Sequence, residues 1–474
     1  MSRTSELAKN TLIIGFGKIS TQFVAFFLLP LYTYFLSPAE FGFVDLLVTY
    51  LALLVPTLTL QLEMASFRFL VDARQSDEQR KRVVSNIVYM LWPLLVVSIV
   101  GFATFGLVFN FQYLSQILLA GASMVFANML LQITRGLGDN KQFAIASLII
   151  GLTTAATAVW FIAFLGMRVE GMLLSLATAN FIGALYLLIK KRIYRDIKLG
   201  LRDKKFQREI LGYSAPLVPN GAAWWVINVS DRTIITIMIS AAANGIYAVS
   251  NKYAAIFTSF FGIFSMSWTE SASMHIDAKD RDKFFSDVSN AALRMFGALG
   301  LGLIAAIPFI FPIFVNASFD QAYQYIPILV VASFFNAIVG LYSAVYIAKK
   351  LTKKVLNTSL AAAGVNIVLT IGLVPFFGLY AAAGATALAF LAMAIFRHFD
   401  VKKYVTITYE KHLFVVLGLI YAVVIALYYV DNIISSIAGL AIAVVAAVIL
   451  NKKAVGVLKT KVLGYAKSRK GAVK

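Results

Sequence analysis

Cysteine is absent from the 474-residue chain, only three residues are histidine, and charged residues make up just 14%. Without cysteine there are no disulfides and no thiolate metal sites, although the compartment stays open. The histidines, His275, His398 and His412, are isolated near segment edges and supply neither metal spacing nor a nucleophile–histidine arrangement. So little charge excludes an ordinary soluble domain, in which about a quarter of residues are charged and roughly 45–50% are apolar. Here 60% are hydrophobic and the mean hydropathy is +0.82. The chain therefore reads as an all-α integral membrane protein. The opening "MSRTSELAKN" runs straight into a long apolar segment with no small-residue cleavage site, so a retained first helix is expected rather than a secretory signal.

A spanning helix needs about 20 mainly apolar residues to cross a hydrocarbon core of about 30 Å. About fourteen such runs occur, at 10–34, 40–62, 83–108, 113–134, 142–164, 170–189, 210–239, 244–267, 289–315, 322–347, 355–376, 378–397, 412–430 and 433–450. The eleventh and twelfth meet at "PFFGLY", where Pro375 and Gly378 predict a tight turn. The net charge of +20 first suggests nucleic acid, but position argues against it, because the basic residues fall between the apolar runs. Alternate connections, including "RQSDEQRKR", "RGLGDNK", "KKLTKK" and "RHFDVKK", are rich in Lys and Arg, whereas the other set holds only Arg168. Basic loops stay in the cytoplasm, which places both termini there.

The segment "SPAEFGFVDLLVTYLA" (37–52) aligns without gaps to "SAAANGIYAVSNKYAA" (240–255) at a constant offset of 203, and "GDNK" echoes "LTKK". Both units would begin on the same side, as in transporters built from parallel repeats. The chain then divides into an N-lobe of six helices (1–190), a basic cytoplasmic linker (191–209) and a C-lobe of six helices (210–398). Two appended helices (399–450) and a basic tail (451–474) complete it.

Charges inside the predicted spans are costly, about 2.5–3.5 kcal/mol each on insertion scales. They are Lys18, Asp45, Asp231, Arg232 and Lys252, with Glu63 and Arg294 nearer an end. On the seventh span Asn220, Trp224, Asn228 and Arg232 recur every four residues, sharing one helical face, with Asp231 beside it and Pro216 and Pro219 upstream. Gln22 lies one turn from Lys18, and Tyr247 and Asn251 share a face beside Lys252. Two readings of Asp231–Arg232 stay open: a paired, snorkelling helix end, or part of a wet chamber that also takes Lys18 and Lys252. Asp45 and Arg294 read as structural, Asp45 serving with Asp231 as a gating or ion-coupling candidate. An excess of positive charge in such a chamber would attract an anion, Arg gripping a phosphate with its planar fork and Lys acting as a mobile point charge.

"SDRTIITIMISAAANGIYAVSNKYA" resembles the helix 7–8 signature of bacterial polysaccharide flippases, the Wzx-type branch of the multidrug/oligosaccharidyl-lipid/polysaccharide (MOP) exporter superfamily. "NTLIIGFGKISTQFVAFFLLPLYTYFLSPAEFGFVDLL" resembles that family's first hairpin, and "YIAKKLTKKVLNTSLAAAGVNIVLTIGLVPFFGLYAAAGATALA" its helix 10–12 region. The resemblance implies two six-helix lobes that open alternately to each side of a bacterial cytoplasmic membrane. It implies a cofactor-free, monomeric carrier of undecaprenyl-pyrophosphate-linked oligosaccharide, with membrane lipids, a polysaccharide polymerase and a chain-length regulator as partners. O-antigen, capsule and exopolysaccharide pathways all use such a carrier. By position Lys18, Arg232 and Lys252 would hold the pyrophosphate, with Gln22, Asn228 and Asn251 around it and Asp231 as partner or gate. Related lipid II flippases favour Arg where this chain has Lys18.

The rivals are weaker. Membrane polymerases and glycosyltransferases place catalytic groups in large external loops, and the external connections here are short. A drug or cation antiporter of the same fold would want carboxylates to dominate the chamber.

Overall fold

The computed structural model describes residues 24–452, and of residues 199, 220 and 222–228 the backbone alone. Among them the architecture is all-helical, and eleven helices are long and apolar enough to cross a membrane. In order they run α1 Leu29–Phe35, α2 Pro38–Leu58, α3 Leu62–Asp72, α4 Asp77–Val108, α5 Leu114–Gly136, α6 Asn140–Ala158, α7 Val169–Lys191 and α8 Lys204–Ser214. Then come α9 Leu217–Met238, α10 Ala241–His275, α11 Arg281–Phe314, α12 Ile326–Ala348, α13 Thr352–Phe377, α14 Leu379–Val401, α15 Lys411–Val430 and α16 Ile433–Leu450. Helix lies over every predicted span, the first seen only in its described part; α9 and α10 are long enough to cross but do not belong to the eleven.

Local chemistry sets the boundaries. Ser37 and Glu40 form a reciprocal capping box and Pro38 fills the first turn, so α2 starts where the apolar run starts. It stops earlier than expected because Leu60 and Gln61 both take positive φ, which starts the separate helix α3. Ser76 caps α4, and Asp77 and Glu78 lie in its first turn, where carboxylates favour the helix dipole. The "PFFGLY" turn is a single residue, Gly378, at φ +54°, between α13 and α14.

The segment expected as a basic linker is folded. Asp196 accepts two hydrogen bonds from the Arg80 guanidinium, both at 3.0 Å, and Ser85 and Asn86 of α4 bind its backbone. It continues into α8, which Asp203 caps and which buries Ile210.

The chain forms two compact units, one of residues up to Val249 with Val315–Asp320 and Ile367–Leu379, the other of the remainder. In the first, Leu62, Leu70, Ile87, Ile133, Leu187 and Ile210 centre one apolar core, and Val44, Leu51, Ile117 and Leu173 a second. In the second, α11 packs against α15 and α16; Tyr421 donates to the Gly297 carbonyl (3.0 Å) and Trp268 to the Leu341 carbonyl (3.1 Å). Trp92, Val97, Val100 and Leu107 of α4 stand exposed along one helix. So large an apolar face suits lipid, not water. The protein is a multi-pass membrane protein.

Candidate functional site

The charges of α2 and α9 converge within the first unit. Gly42, Asp45 and Thr49 follow one another at spacings of three and four, so they share one face of α2. Arg232 of α9 donates through Nη1 to Asp45 Oδ2 at 2.7 Å and to Thr49 Oγ1 at 3.0 Å. Its side chain is 22% exposed and that of Asp45 only 8%. Asp231 accepts from the Tyr247 hydroxyl of α10 at 2.7 Å and from the Arg232 backbone N–H at 2.8 Å. Tyr50 of α2 and Thr233 of α9 join hydroxyl to hydroxyl at 3.1 Å. Adjacent in sequence, Asp231 and Arg232 thus face different partners, each bound by a charge-assisted hydrogen bond worth about 1.5–3 kcal/mol.

Backbone contact sets this geometry. α2 crosses the start of α10 at Gly42 and Gly245, the two glycines that coincide in the internal repeat. A Cβ on Gly42 would stand 2.0 Å from the Ala241 carbonyl oxygen, and a Cβ on Gly245 2.0 Å from that of Pro38. The offset of 203 exchanges these two contacts, so the crossing is locally two-fold. Ser37 and Ser240, the next equivalent pair, each accept the backbone N–H three residues on, at 3.3 and 3.1 Å. Thr33 and Thr236 each donate to the carbonyl four residues back, those of Leu29 and Arg232. Asn244, fully buried, closes the crossing by donating to the Gly42 carbonyl at 2.8 Å.

Arg232 commits only one nitrogen of its fork. Among the described residues Nε and Nη2 donate to no acceptor, which leaves an edge able to take two oxygens of one anion.

The structure thus brings Asp45, Asp231 and Arg232 together and adds Thr49 and Tyr247. Lys18 and Gln22 lie outside the described residues, as does the side chain of Asn228. Asn251 and Lys252 are half-buried on α10, within the second unit. The described cluster holds two carboxylates and one guanidinium, of which Asp45 alone is bonded to the guanidinium, so by itself it carries no excess of positive charge. Of Asp45, Asp231, Arg232, Thr49 and Tyr247 only Thr49 was not picked out from the sequence, and its spacing from Gly42 and Asp45 along one face of α2 was the available signal.

Elsewhere, Arg294 is paired with Glu410, and Glu63 accepts from Thr59 at 2.7 Å. Arg397, read from the sequence as part of a basic connection, is instead in α14 and 1% exposed. No group of three His, Asp or Glu among the described residues is placed to hold a metal.

The family described as "Polysaccharide biosynthesis protein" matches residues 7–269. Among solved structures the chain is similar to the lipid II flippase MurJ in an inward closed conformation. Identity is 16% and the TM-score 0.71, with 94% of this chain and 100% of that one covered. It is also similar to a multidrug resistance MATE family transporter of the MOP superfamily. The inward-facing form gives 13% identity and TM-score 0.67 over 81% of this chain and 94% of that one. The outward-facing form gives 13% and 0.59 over 84% and 94%. These likenesses establish the fold. No curated protein matches the chain.

Proposed function

Because the chain belongs to the polysaccharide biosynthesis protein family, we propose that it carries a lipid-linked glycan across a bacterial cytoplasmic membrane. The glycan would be linked to undecaprenyl pyrophosphate and would pass from the inner to the outer leaflet. A charged, hydrated headgroup pays several kcal/mol per ion to enter hydrocarbon, so a protein route through the bilayer is what such a substrate needs. The observation that carries this reading is the uncommitted edge of Arg232, a guanidinium inside a membrane helix with two donors unassigned among the described residues. A diphosphate at that edge would compete with Asp45 for the guanidinium. Exchange between the fixed carboxylate and the passing phosphate gives reversible binding, and Asp45 keeps the arginine paired when the carrier is empty. Asp231, tied to Tyr247, is the gating candidate, because a change at its carboxylate is felt by α9 and α10 together. Lys18 and Lys252, with Gln22, Asn228 and Asn251, are proposed to complete the headgroup site. The protein supplies no bond-breaking chemistry in this scheme, and a polymerase consumes the delivered repeat unit.

The test is transfer of an undecaprenyl-diphosphate oligosaccharide between leaflets of vesicles that hold the purified protein. Arg232→Gln and Lys252→Ala should each slow transfer at least about tenfold, the loss of one charged hydrogen bond. Transfer by both variants at the rate of the unaltered protein would end this assignment.

A second reading follows from the two carboxylates around Arg232: ion-coupled export of a small organic cation. Vesicles that take up a lipophilic dye cation in response to a proton or sodium gradient, but move no lipid-linked glycan, would favour it.

A further inference from the structure

Helices α12, α14 and α15 of the second unit leave between them an open groove of about 940 Å³. Its two ends differ in chemistry. Most of its length is apolar, lined by Phe334 and Ile338 of α12, Leu391 and Ile395 of α14, and Leu417 and Ile425 of α15. The other end carries Lys402 and Lys411, with Tyr409 and Thr408 from the irregular segment between α14 and α15. Both lysines are exposed. The nearby carboxylates are already engaged, Asp400 by Lys354 and Lys403, and Glu410 by Arg294 and His412. Among the described residues neither Lys402 nor Lys411 takes part in an ion pair.

Helix α15 sharpens the asymmetry. It begins at Lys411, and the Glu410 at its N-cap makes no side-chain capping bond and is paired with Arg294 instead; the first turn itself holds no acidic residue. Cations at a helix N-terminus reinforce the positive end of the dipole, an arrangement that costs stability unless an anion sits there. Along α15 the groove runs from Lys411 to Ile425, about 21 Å at 1.5 Å per residue. One leaflet of hydrocarbon is about 15 Å deep, so the groove reaches from headgroup level to the middle of the bilayer. Lys402 rests over the Phe399 ring, 5.2 Å from its centre. Inorganic phosphate would leave the apolar walls uncovered, and an uncharged lipid would leave both lysines without an anion.

We propose that this groove binds one anionic phospholipid of the surrounding membrane. Its phosphate sits between Lys402 and Lys411, and one acyl chain lies along α12 and α15. The site is separate from the Arg232 cluster and stands whether or not the protein carries glycans.

The full chain, purified in detergent and titrated with phosphatidylglycerol, can be followed by native mass spectrometry. One tightly held lipid is expected. Lys402→Gln and Lys411→Gln should each weaken it about fivefold, and both together about thirtyfold, with weak phosphatidylcholine binding unchanged. Gly418→Phe gives a second test that leaves the lysines alone. A Cβ at this groove position meets open space, so the ring can enter the groove and exclude the acyl chain. Undiminished phosphatidylglycerol binding in the double lysine variant and in Gly418→Phe would overturn the proposal. So would displacement of the lipid by inorganic phosphate, or a preference of the groove for undecaprenyl phosphate.

Discussion

Arg232 and Arg397 both lie in long, largely apolar helices, and they are held in opposite ways. Arg232 leans on a carboxylate, Asp45, through one nitrogen and keeps the rest of its fork uncommitted among the described residues. Arg397 has no carboxylate bonded to it. Its Nε donates to Thr358, its Nη1 to Ser343 and the Val339 carbonyl, and its Nη2 to Thr358, Ser359 and the Val355 carbonyl. It also lies 5.7 Å from the centre of the Tyr346 ring. With 1% of its surface exposed, Arg397 has no donor left for a ligand. One guanidinium is held so that it can exchange partners, and the other so that it cannot. A buried charge can therefore mark either a site or a pin joining α12, α13 and α14, and the count of committed donors tells them apart.

The largest effect expected from this contrast is on stability in the second unit. Arg397→Lys keeps the charge but has only three donors and no planar fork. A poorly satisfied buried cation should cost about 3 kcal/mol or more. Arg397→Met removes charge and bonds together and should cost less, about 1 kcal/mol, because no ion is left stranded. Melting of the purified variants in detergent gives the order, and a lysine variant as stable as the methionine one would show that the bonds to Arg397 matter little. At Arg232 the outcome should invert. Arg232→Lys can still reach Asp45, so melting should shift little, about 1 kcal/mol or less, while glycan transfer falls about tenfold with loss of the two-point grip. A lysine variant that transports normally would remove the distinction between the two arginines.

The arginines also show how far the sequence could be read. Apolar runs of spanning length carry the helices directly, because each crossing must satisfy its own backbone, and the one-residue turn at Gly378 follows from local composition. Arg397 was hidden because it ends the apolar run 378–397 and begins the basic stretch "RHFDVKK", so a buried residue looked like one more loop charge. The linker was hidden for a related reason: its contacts, Arg80 with Asp196 and Asn86 with Leu201 and Asp203, join residues more than a hundred positions apart. Asp45 and Arg232 were each singled out as charges, but no local pattern says that residues 187 apart in sequence will meet. The repeat came nearest, since its offset aligned Gly42 with Gly245, the two residues on which the pairing geometry rests.

That crossing gives a smaller, sharper test. A methyl group at Gly42 or at Gly245 stands 2.0 Å from a backbone oxygen, not a movable side chain, so α2 and α10 must move apart by about 1 Å to accept it. Each alanine substitution should cost about 1–3 kcal/mol. Because the contacts are equivalent, the two costs should be similar, and the double variant should cost less than their sum. The strain falls on the seat of Asp45, so transfer should drop with stability. An additive double variant would mean that the glycines do not act as one contact.

The smallest effect belongs to a charge outside the spans, where water can compensate. Asp139 caps α6, accepting from the Gln142 N–H at 3.1 Å and from Lys191 at 2.9 Å. Partial burial opposes its ionisation, but Lys191 and the capping bond outweigh it and hold the carboxyl below its ordinary value. A carboxylate whose folded pKa is depressed adds stability above its unfolded value, about 3.9. That stability is lost as pH falls through the lower folded value. Asp139→Asn should therefore lower melting slightly at neutral pH, by under about 1 kcal/mol, and the difference from the unaltered protein should close as the pH is taken below about 4. Neither Arg232 nor Arg397 can be neutralised in that range. If the Asp139 difference persisted at low pH, its contribution would come from the geometry of the cap, not from charge.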